Sequence, residues 1–275
     1  MKVLITGATG LVGGAALKSA LSHPAITTVF VLSRRELAIT HPKLRVILKT
    51  DYKTYTPTEL EQLQGVSACI WSLGAPTGGM EIHTLLPRVA RDTFFEHLAP
   101  AIPGGGPFTF VLTSGLLVVR DQERWLPGFL KPLQIRGKVE GEVAEFEKQH
   151  EGKWKSMVAR PASVLKEGKA SMLPYRFQID SSALGAALVA LATSEDSKGR
   201  TLENLELREV GQKSLAGPTT TVLLVDRSLA FGGTSECVVL LQYPFDAIKA
   251  ELQRLKLEAD VSHRSDVHDL SSYWD

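Results

Sequence analysis

Through most of its length the chain alternates short apolar runs with longer segments whose apolar residues recur at helical spacing. The short runs are rich in Val, Ile and Leu and have the length of buried strands. The predicted strands are Val3–Ile5, Val29–Leu32, Arg45–Leu48, Ser67–Leu73, Phe108–Thr113 and Lys155–Arg160. The predicted helices are Leu11–Leu21, Thr84–Leu98, Ile135–His150 and Ser181–Thr193. This alternation predicts an α/β Rossmann-type fold, a doubly wound and mainly parallel sheet with helices on both faces.

The pattern changes after about residue 208. Strands are predicted over Thr219–Val225 and Cys237–Leu241, followed by an amphipathic helix over Phe245–Leu257 and a loose tail. We therefore expect one Rossmann domain with its substrate pocket over residues 1–212 and a small extension over residues 213–275 packed on the same domain. A dimer arm and a lid are both left open for this extension.

Composition narrows the range of partners and compartments. The 275 residues are 44% hydrophobic, and 31 Lys plus Arg against 30 Asp plus Glu leave a formal charge of +1. Because positive and negative charges are nearly equal in number, the net charge does not attract the chain to nucleic acid or to an anionic membrane. No stretch approaches the ~18 apolar residues of a membrane span. Cys69 and Cys237 lie in apolar runs and are expected to be free thiols. We expect a soluble cytoplasmic protein without a secretory signal.

The turn between the first strand and the first helix carries a Gly-x-x-Gly-x-x-Gly pattern. Gly7 is expected to permit the sharp turn, Gly10 the approach of a diphosphate and Gly13 the packing of the helix on the sheet. The free amides of the helix N-terminus then favour an anion. The residues of this turn expected to hold a dinucleotide are Thr6, Gly7, Thr9, Gly10, Leu11, Val12 and Gly13.

The end of the second strand indicates which dinucleotide binds. An acidic residue there accepts hydrogen bonds from a ribose 2'-hydroxyl, whereas arginine pairs with a 2'-phosphate. The sequence after Leu32 is Ser33-Arg34-Arg35, with a carboxylate only at Glu36. These arginines favour NADP(H) over NAD(H); the alternative is that they are solvated loop charges.

An ordered set of motifs resembles the atypical short-chain dehydrogenase/reductase superfamily, in particular its NmrA-like and Tat-interacting-protein-like branch. Over about residues 1–210 the set comprises TGATGLVG, LSRR, the Asp51-Tyr52 pair, SLGAP, LTSG, IRGKVE and ARPASVL. The resemblance implies that Asp51 and Tyr52 flank the adenine and that Leu73 and Gly74 line the ribose and phosphate side. It also implies that Pro161, Ala162 and Val164 approach the nicotinamide. From the residues alone, Asp51-Tyr52 is equally consistent with a polar turn.

Redox members of this superfamily use a Ser, a Tyr and a Lys four residues after the Tyr. Hydride transfer leaves negative charge on the acceptor oxygen, which the Tyr protonates while the Ser binds it. Ser114 matches the serine, and IRGKVE places Arg136 at the lysine position and Pro132 at the tyrosine position. A register shifted by two residues places Lys138 and Gln134 there instead. Neither register supplies a tyrosine, and Arg136 is also consistent with a surface helix charge.

Two functions remain compatible with these residues. The first is an NADPH-dependent reductase of a small or medium organic substrate, a carbonyl or an imine, in which Ser114 and Arg136 polarise the acceptor. The second is a non-redox NADP(H)-binding protein, such as an isomerase, a cyclase or a redox-sensing regulator. In either case the substrate is expected beside Gly78–Met80 and the apolar loop Trp125–Phe129, unless that loop is core packing. A homodimer is left open.

Two other kinds of site are not expected. The seven histidines show no spacing typical of metal ligands. Ser114 lies in Thr-Ser-Gly, without the Gly-x-Ser-x-Gly turn of a hydrolase nucleophile.

Overall fold

The computed structural model describes residues 1–74, 79–169, 171–216, 224–226 and 237–239. The chain divides into two compact units, Met1–Leu215 and Ala216–Asp275. In the second unit, strands Leu224–Asp226 and Cys237–Val239 pair antiparallel. The helix predicted over Phe245–Leu257 lies outside the described residues, and the packing and role of the extension stay predictions.

The first unit is built on a parallel sheet of seven strands. They are β1 (Lys2–Thr6), β2 (Thr28–Ser33), β3 (Leu44–Leu48), β4 (Val66–Trp71), β5 (Phe108–Thr113), β6 (Trp154–Arg160) and β9 (Thr201–Glu203). Two further short strands, β7 (Ser163–Leu165) and β8 (Gln178–Asp180), form a separate parallel pair. Their order is β3-β2-β1-β4-β5-β6-β9, so the direction of winding reverses between β1 and β4. The predicted α/β Rossmann-type fold is therefore confirmed, and a ligand is expected at the carboxyl ends of the strands beside this switch point.

Helices cover both faces of the sheet. They are α1 (Leu11–Ser22), α2 (Pro57–Gln62), α3 (Glu81–His97), α4 (Lys131–Gln149), α5 (Ser181–Thr193) and α6 (Asn204–Ala216). Helices α1 and α5 bury their apolar residues against one face of the sheet, and α3 and α4 bury theirs against the other. The predicted helices α1, α3, α4 and α5 are confirmed, whereas α2 and α6 were not predicted.

The loop that follows β5 is held tightly on α4. The Gln134 side chain is buried and donates to the carbonyls of Asp121, Gln122 and Arg124 at 2.8–3.0 Å. Gly137 lies directly under this loop, because a Cβ there would be 1.8 Å from the Val119 carbonyl oxygen. These contacts determine how the first turns of α4 approach the carboxyl end of β5.

A buried carboxylate ties α4 to β6 and to the same loop. Glu140 is fully buried, and it accepts hydrogen bonds from Arg120 at 2.7 Å and Arg160 at 3.0 Å. A buried charge is tolerated where it is paired in this way. The amino-terminal half of α4, which carries Arg136, is therefore held both by the loop after β5 and by β6.

Candidate nucleotide cleft and active site

A cleft of about 560 Å³ opens at the carboxyl ends of β1, β2, β3 and β4. Its lining includes nine residues expected to bind the dinucleotide: Gly7, Thr9, Gly10, Ser33, Arg34, Asp51, Tyr52, Leu73 and Gly74. The other lining residues were not among those expected to bind it: Ala8, Leu32, Thr50, Lys53, Ser72, Glu81, Ile82 and Leu86. The cleft lies at the switch point of the sheet, where open α/β sheets bind their ligands.

The glycine turn is packed too closely for side chains at two of its positions. Gly7 has φ +72°, and a Cβ there would lie 2.4 Å from the Ser72 carbonyl oxygen. A Cβ on Gly13 would lie 2.3 Å from the Gly7 carbonyl oxygen. Gly7 therefore forms the turn and Gly13 brings α1 against it, whereas Gly10 lies in the cleft lining.

The amino end of α1 borders this cleft through its N-cap residue, Gly10. Gly10 is the N-cap residue and makes no side-chain cap hydrogen bond, and the first turn contains no acidic residue. The first amides of a helix have no partner within it and carry its positive dipole end. This end of α1 consequently suits the diphosphate of a dinucleotide.

Of the residues expected in the glycine turn and the arginine pair, five are not part of the lining that the described residues form: Thr6, Leu11, Val12, Gly13 and Arg35. Thr6 is fully buried, and its hydroxyl oxygen accepts a hydrogen bond from the Ser72 amide at 3.1 Å. It therefore connects the ends of β1 and β4 beneath the cleft. Leu11, Val12 and Gly13 offer a ligand only the backbone of the first turn of α1.

The two arginines after β2 have different positions. The Ser33 hydroxyl accepts from the Arg35 amide at 3.3 Å and donates to the Arg35 carbonyl at 2.7 Å, which bends the chain after the strand. Arg34 lines the cleft, and the exposed Arg35 does not. Of the pair, Arg34 is placed to meet a phosphate on the adenosine ribose.

Asp51 and Tyr52 form part of the cleft wall after β3. The Tyr52 hydroxyl donates to the Leu32 carbonyl at 2.9 Å, and burial raises the pKa of this phenol to about 12, with Arg34 opposing the shift. The Asp51 carboxylate accepts from the Lys53 amide at 2.8 Å, and this bond is the main cause lowering the pKa of Asp51. Asp51 thus closes a polar turn and also lines the cleft.

A second, much smaller cavity of about 20 Å³ lies next to the cleft. Ser114 and Arg136, the two expected catalytic residues, both line it, and Leu73 and Ile82 line both spaces. Burial lowers the pKa of the Arg136 guanidinium and the Glu140 carboxylate opposes that change. An arginine in such a place remains a cation and can bind a ribose hydroxyl or an oxyanion.

The geometry of α4 distinguishes the two sequence registers. Lys138 is exposed, and the amide of Gln134 is bonded to the loop after β5. Pro132 is exposed near the start of α4 and has no acidic proton. Of the two basic candidates, the structure therefore brings Arg136 rather than Lys138 into the lining with Ser114.

The segment after β6 lies beside the loop that carries Ser114. The Ser114 amide donates to the Ala159 carbonyl at 2.8 Å, and the Leu116 amide donates to the Pro161 carbonyl at 3.0 Å. The Ala162 amide donates to the Asn204 side chain at 2.8 Å. Pro161, Ala162 and Val164 stand at the same edge of the sheet as Ser114, outside the lining of both described cavities.

The apolar loop between β5 and α4 is mostly open to solvent. Trp125 and Phe129 are each 80% exposed, whereas Leu126 is buried. Core packing therefore accounts for Leu126 alone among these three side chains. Gly78, part of the other predicted substrate segment, lies outside the described residues, and Met80 immediately precedes α3.

Three further features are the cysteine thiols, the groups that could hold a metal ion and the helices that could cross a membrane. Cys69 is a buried free thiol, as predicted, whereas the side chain of Cys237 lies outside the described residues. In the part of the chain that the structure describes, no group of three or more His, Cys, Asp or Glu is placed to hold a metal ion. None of the helices described here combines the length and apolar character needed to cross a bilayer.

Comparison with known proteins supports the fold and leaves the family open. No model of a known protein family matches the chain. A curated protein from Purpureocillium lilacinum named "Leucinostatins biosynthesis cluster protein T" is 37% identical over 78 residues, which are 28% of this chain and 29% of that protein. The matched region thus spans less than a third of the relative's length.

Solved structures share the architecture at low sequence identity. The oxidoreductase ylbE from Lactococcus lactis superposes with a TM-score of 0.53 at 17% identity, covering 78% of this chain and 97% of its own. The PhqB reductase domain from Penicillium fellutanum superposes with a TM-score of 0.55 at 12% identity, covering 75% of this chain and 68% of its own. The carbonyl reductase Sniffer of D. melanogaster superposes with a TM-score of 0.53 at 14% identity, covering 73% of this chain and 96% of its own. These likenesses show a Rossmann-type fold.

Proposed function

We propose that this chain is an NADPH-dependent oxidoreductase of the atypical short-chain dehydrogenase/reductase type, from the NmrA-like branch, acting on a carbonyl or imine of small or medium size. The observation that carries this proposal is the placement of Ser114 and Arg136 in one cavity that shares Leu73 and Ile82 with the nucleotide cleft. A polarising hydroxyl and a cation thereby adjoin the space suited to a nicotinamide nucleotide.

The residues of the cleft fit NADP(H) from one end to the other. Arg34 meets the 2'-phosphate, Asp51 and Tyr52 flank the adenine, and the amino end of α1 receives the diphosphate. Leu73 and Gly74 then line the ribose and phosphate side of the cofactor. When bound, NADPH supplies the hydride for the reduction.

Ser114 and Arg136 act on the acceptor rather than on the nucleotide's adenosine half. The Ser114 hydroxyl donates to the acceptor oxygen or nitrogen, and the Arg136 cation stabilises the negative charge that develops there. The exposed Trp125 and Phe129 belong to the loop that leads from Ser114 to α4, and they provide an apolar wall for the remainder of the acceptor. This arrangement favours an acceptor with an apolar portion.

The second candidate is a non-redox NADP(H)-binding protein: an isomerase, a cyclase or a redox-sensing regulator. The observation that favours it is Pro132, which stands exposed where the resemblance implies a proton-donating tyrosine. Of the described residues that line the small cavity, none is a tyrosine. Such a protein binds the nucleotide as tightly as a reductase does and oxidises none of it.

Mixing the purified protein with NADPH and a panel of aldehydes, ketones and imines separates the two functions. We expect loss of absorbance at the nicotinamide band with at least one acceptor. Ser114→Ala is expected to lower kcat by about 100-fold, because one donor to the developing charge is lost. Ser22→Ala, at the exposed carboxyl end of α1, is the matched control and should match the wild type. Tight NADPH binding without turnover anywhere on the panel favours the non-redox function.

A further inference from the structure

The cavity that Ser114 and Arg136 line has the size and polarity of a site for one water molecule. Its volume is about 20 Å³, and a water needs roughly 10–15 Å³ measured in this way together with two to four polar partners. Ser114, Arg136 and His83 contribute polar side chains to the lining. Thr113, also in the lining, has its hydroxyl bonded to that of Ser72 at 3.0 Å. The lining therefore offers one water an imidazole, a hydroxyl and a guanidinium as partners.

His83 stands between this cavity and the nucleotide cleft. It lies in the first turn of α3, where its amide donates to the Met80 carbonyl at 3.0 Å. Its Cε1 atom is 3.3 Å from the position that a Cβ on Gly74 would occupy, and Gly74 lines the cleft. The ring consequently packs against a segment that lines the ribose and phosphate side of the proposed cofactor site.

We propose that His83 is the proton source of the reduction, acting through the water in this cavity and the Ser114 hydroxyl in place of a tyrosine phenol. The inference rests on the proposed reductase function. Imidazole is the side chain best suited to give up and regain a proton near neutral pH. The relay accounts for a reductase site with Pro132 at the position of the usual acid.

The step balances without any further reactant. The acceptor carbon gains a hydride, which oxidises NADPH to NADP⁺, and the electrons of the C=O or C=N π bond move onto the oxygen or nitrogen. That atom takes a proton from the Ser114 hydroxyl, which regains one from the water, and the water regains one from the His83 imidazolium. Solvent then reprotonates the neutral imidazole. The sum is acceptor plus NADPH plus one proton, giving the reduced acceptor and NADP⁺.

His83 shares its surroundings with a cation and with the positive end of a helix dipole. Arg136 of α4 shares the cavity lining, and the amino end of α3 adds the positive end of a helix dipole. Among the charged groups on the surrounding elements, Lys53 pairs with Glu81 at 2.8 Å and Arg88 with Glu142 at 2.9 Å, and the buried Glu140 of α4 pairs with Arg120 and Arg160.

The test compares His83→Gln with the wild type across pH 5.5–9, using an acceptor that the wild type reduces. Because the protonated imidazole is the donor, the wild-type kcat is expected to fall as pH rises through the titration of His83. His83→Gln is expected to lower kcat at neutral pH by about 100-fold or more and to remove this pH dependence. Its KM for NADPH should stay within about twofold, since His83 lies outside the lining of the nucleotide cleft. His97→Gln, exposed near the other end of α3, should match the wild type.

A second measurement does not depend on turnover. Nitrogen NMR of the imidazoles in the full chain with NADP⁺ gives the titration midpoint of His83. Arg136→Met is expected to raise that midpoint by about half a pH unit or more, because a neighbouring positive charge is removed. An unchanged midpoint contradicts the closeness of His83 and Arg136 in the cavity, on which the relay depends.

The possible outcomes distinguish a failure of the His83 relay from a failure of the proposed reductase function. If the wild type reduces an acceptor and His83→Gln keeps its rate and pH profile, the relay is wrong and the reductase stands. If the wild type binds NADPH and reduces nothing, both are wrong. Loss of rate with the pH profile retained means that His83 has only a structural role, which also overturns the relay.

Discussion

Arg34→Ala is expected to weaken NADPH binding by about 10- to 100-fold and to leave NADH binding within about twofold. The reason is the loss of a charge-assisted contact with the 2'-phosphate, worth roughly 1.5–3 kcal/mol, which only NADPH can make. Fluorescence or calorimetric titration of both nucleotides measures the two affinities.

Arg35→Ala is the matched control for this experiment. Arg35 is adjacent in sequence and carries the same charge, but it lies outside the cleft lining. We expect its replacement to change NADPH affinity by no more than about threefold, through long-range charge alone. An equal loss for NADPH and NADH in Arg34→Ala, or an equal loss from either arginine, contradicts the assignment of Arg34 to the 2'-phosphate.

Gly137→Ala is expected to lower the unfolding temperature by about 6–12 °C, corresponding to roughly 3 kcal/mol or more. The added methyl group would meet the Val119 carbonyl oxygen at 1.8 Å, a backbone atom that can move only with the loop after β5. Because the same helix carries Arg136, we also expect the variant to lose activity. Thermal unfolding followed by circular dichroism measures the change.

Gly141→Ala, one turn further along α4, tests whether the loss of stability in Gly137→Ala comes from the contact with Val119 or from placing alanine in this helix. Apart from its chain neighbours and the nearby backbone of α4, no atom of the described structure lies within 4 Å of a Cβ at Gly141. Alanine is the better helix former by roughly 1 kcal/mol, so this variant should be slightly more stable than the wild type. If both replacements stabilise the protein, α4 and the loop are not packed as described here.

The architecture of the first unit could be predicted because its signals are local. The strands are short apolar runs and the helices α1, α3, α4 and α5 have clear periodicity, so the alternation alone indicates a doubly wound sheet. Helix α2 was missed although its start carries a signal: Thr56 and Glu59 form a capping box with Pro57 between them. Its six residues are too few for an apolar period.

The nucleotide cleft was largely predictable for a related reason. Gly7, Gly10 and Arg34 follow strands directly, and the ends of parallel strands meet at one edge of the sheet. The sequence does not show which of two neighbouring residues turns inward: the hydrogen bonds of Ser33 to Arg35 decide this for the arginine pair. Lys53 and Glu81, which form an ion pair beside the cleft at 2.8 Å, carry no motif.

His83 could not be found from the sequence. It has no motif around it, and its place beside Ser114 and Arg136 depends on how α3 and α4 pack on the same face of the sheet. Arg136 was identified through the resemblance, whereas its burial depends on Gly137 and on the loop after β5. Contacts between helices that are distant in sequence determine this part of the site.

Titration of the wild-type chain with NADPH tests the central claim most directly. The cleft predicts saturable binding of one NADPH per chain, tighter than NADH by about tenfold or more because of the contact at Arg34. A chain that is folded by circular dichroism and shows no saturable binding of either nucleotide contradicts the account.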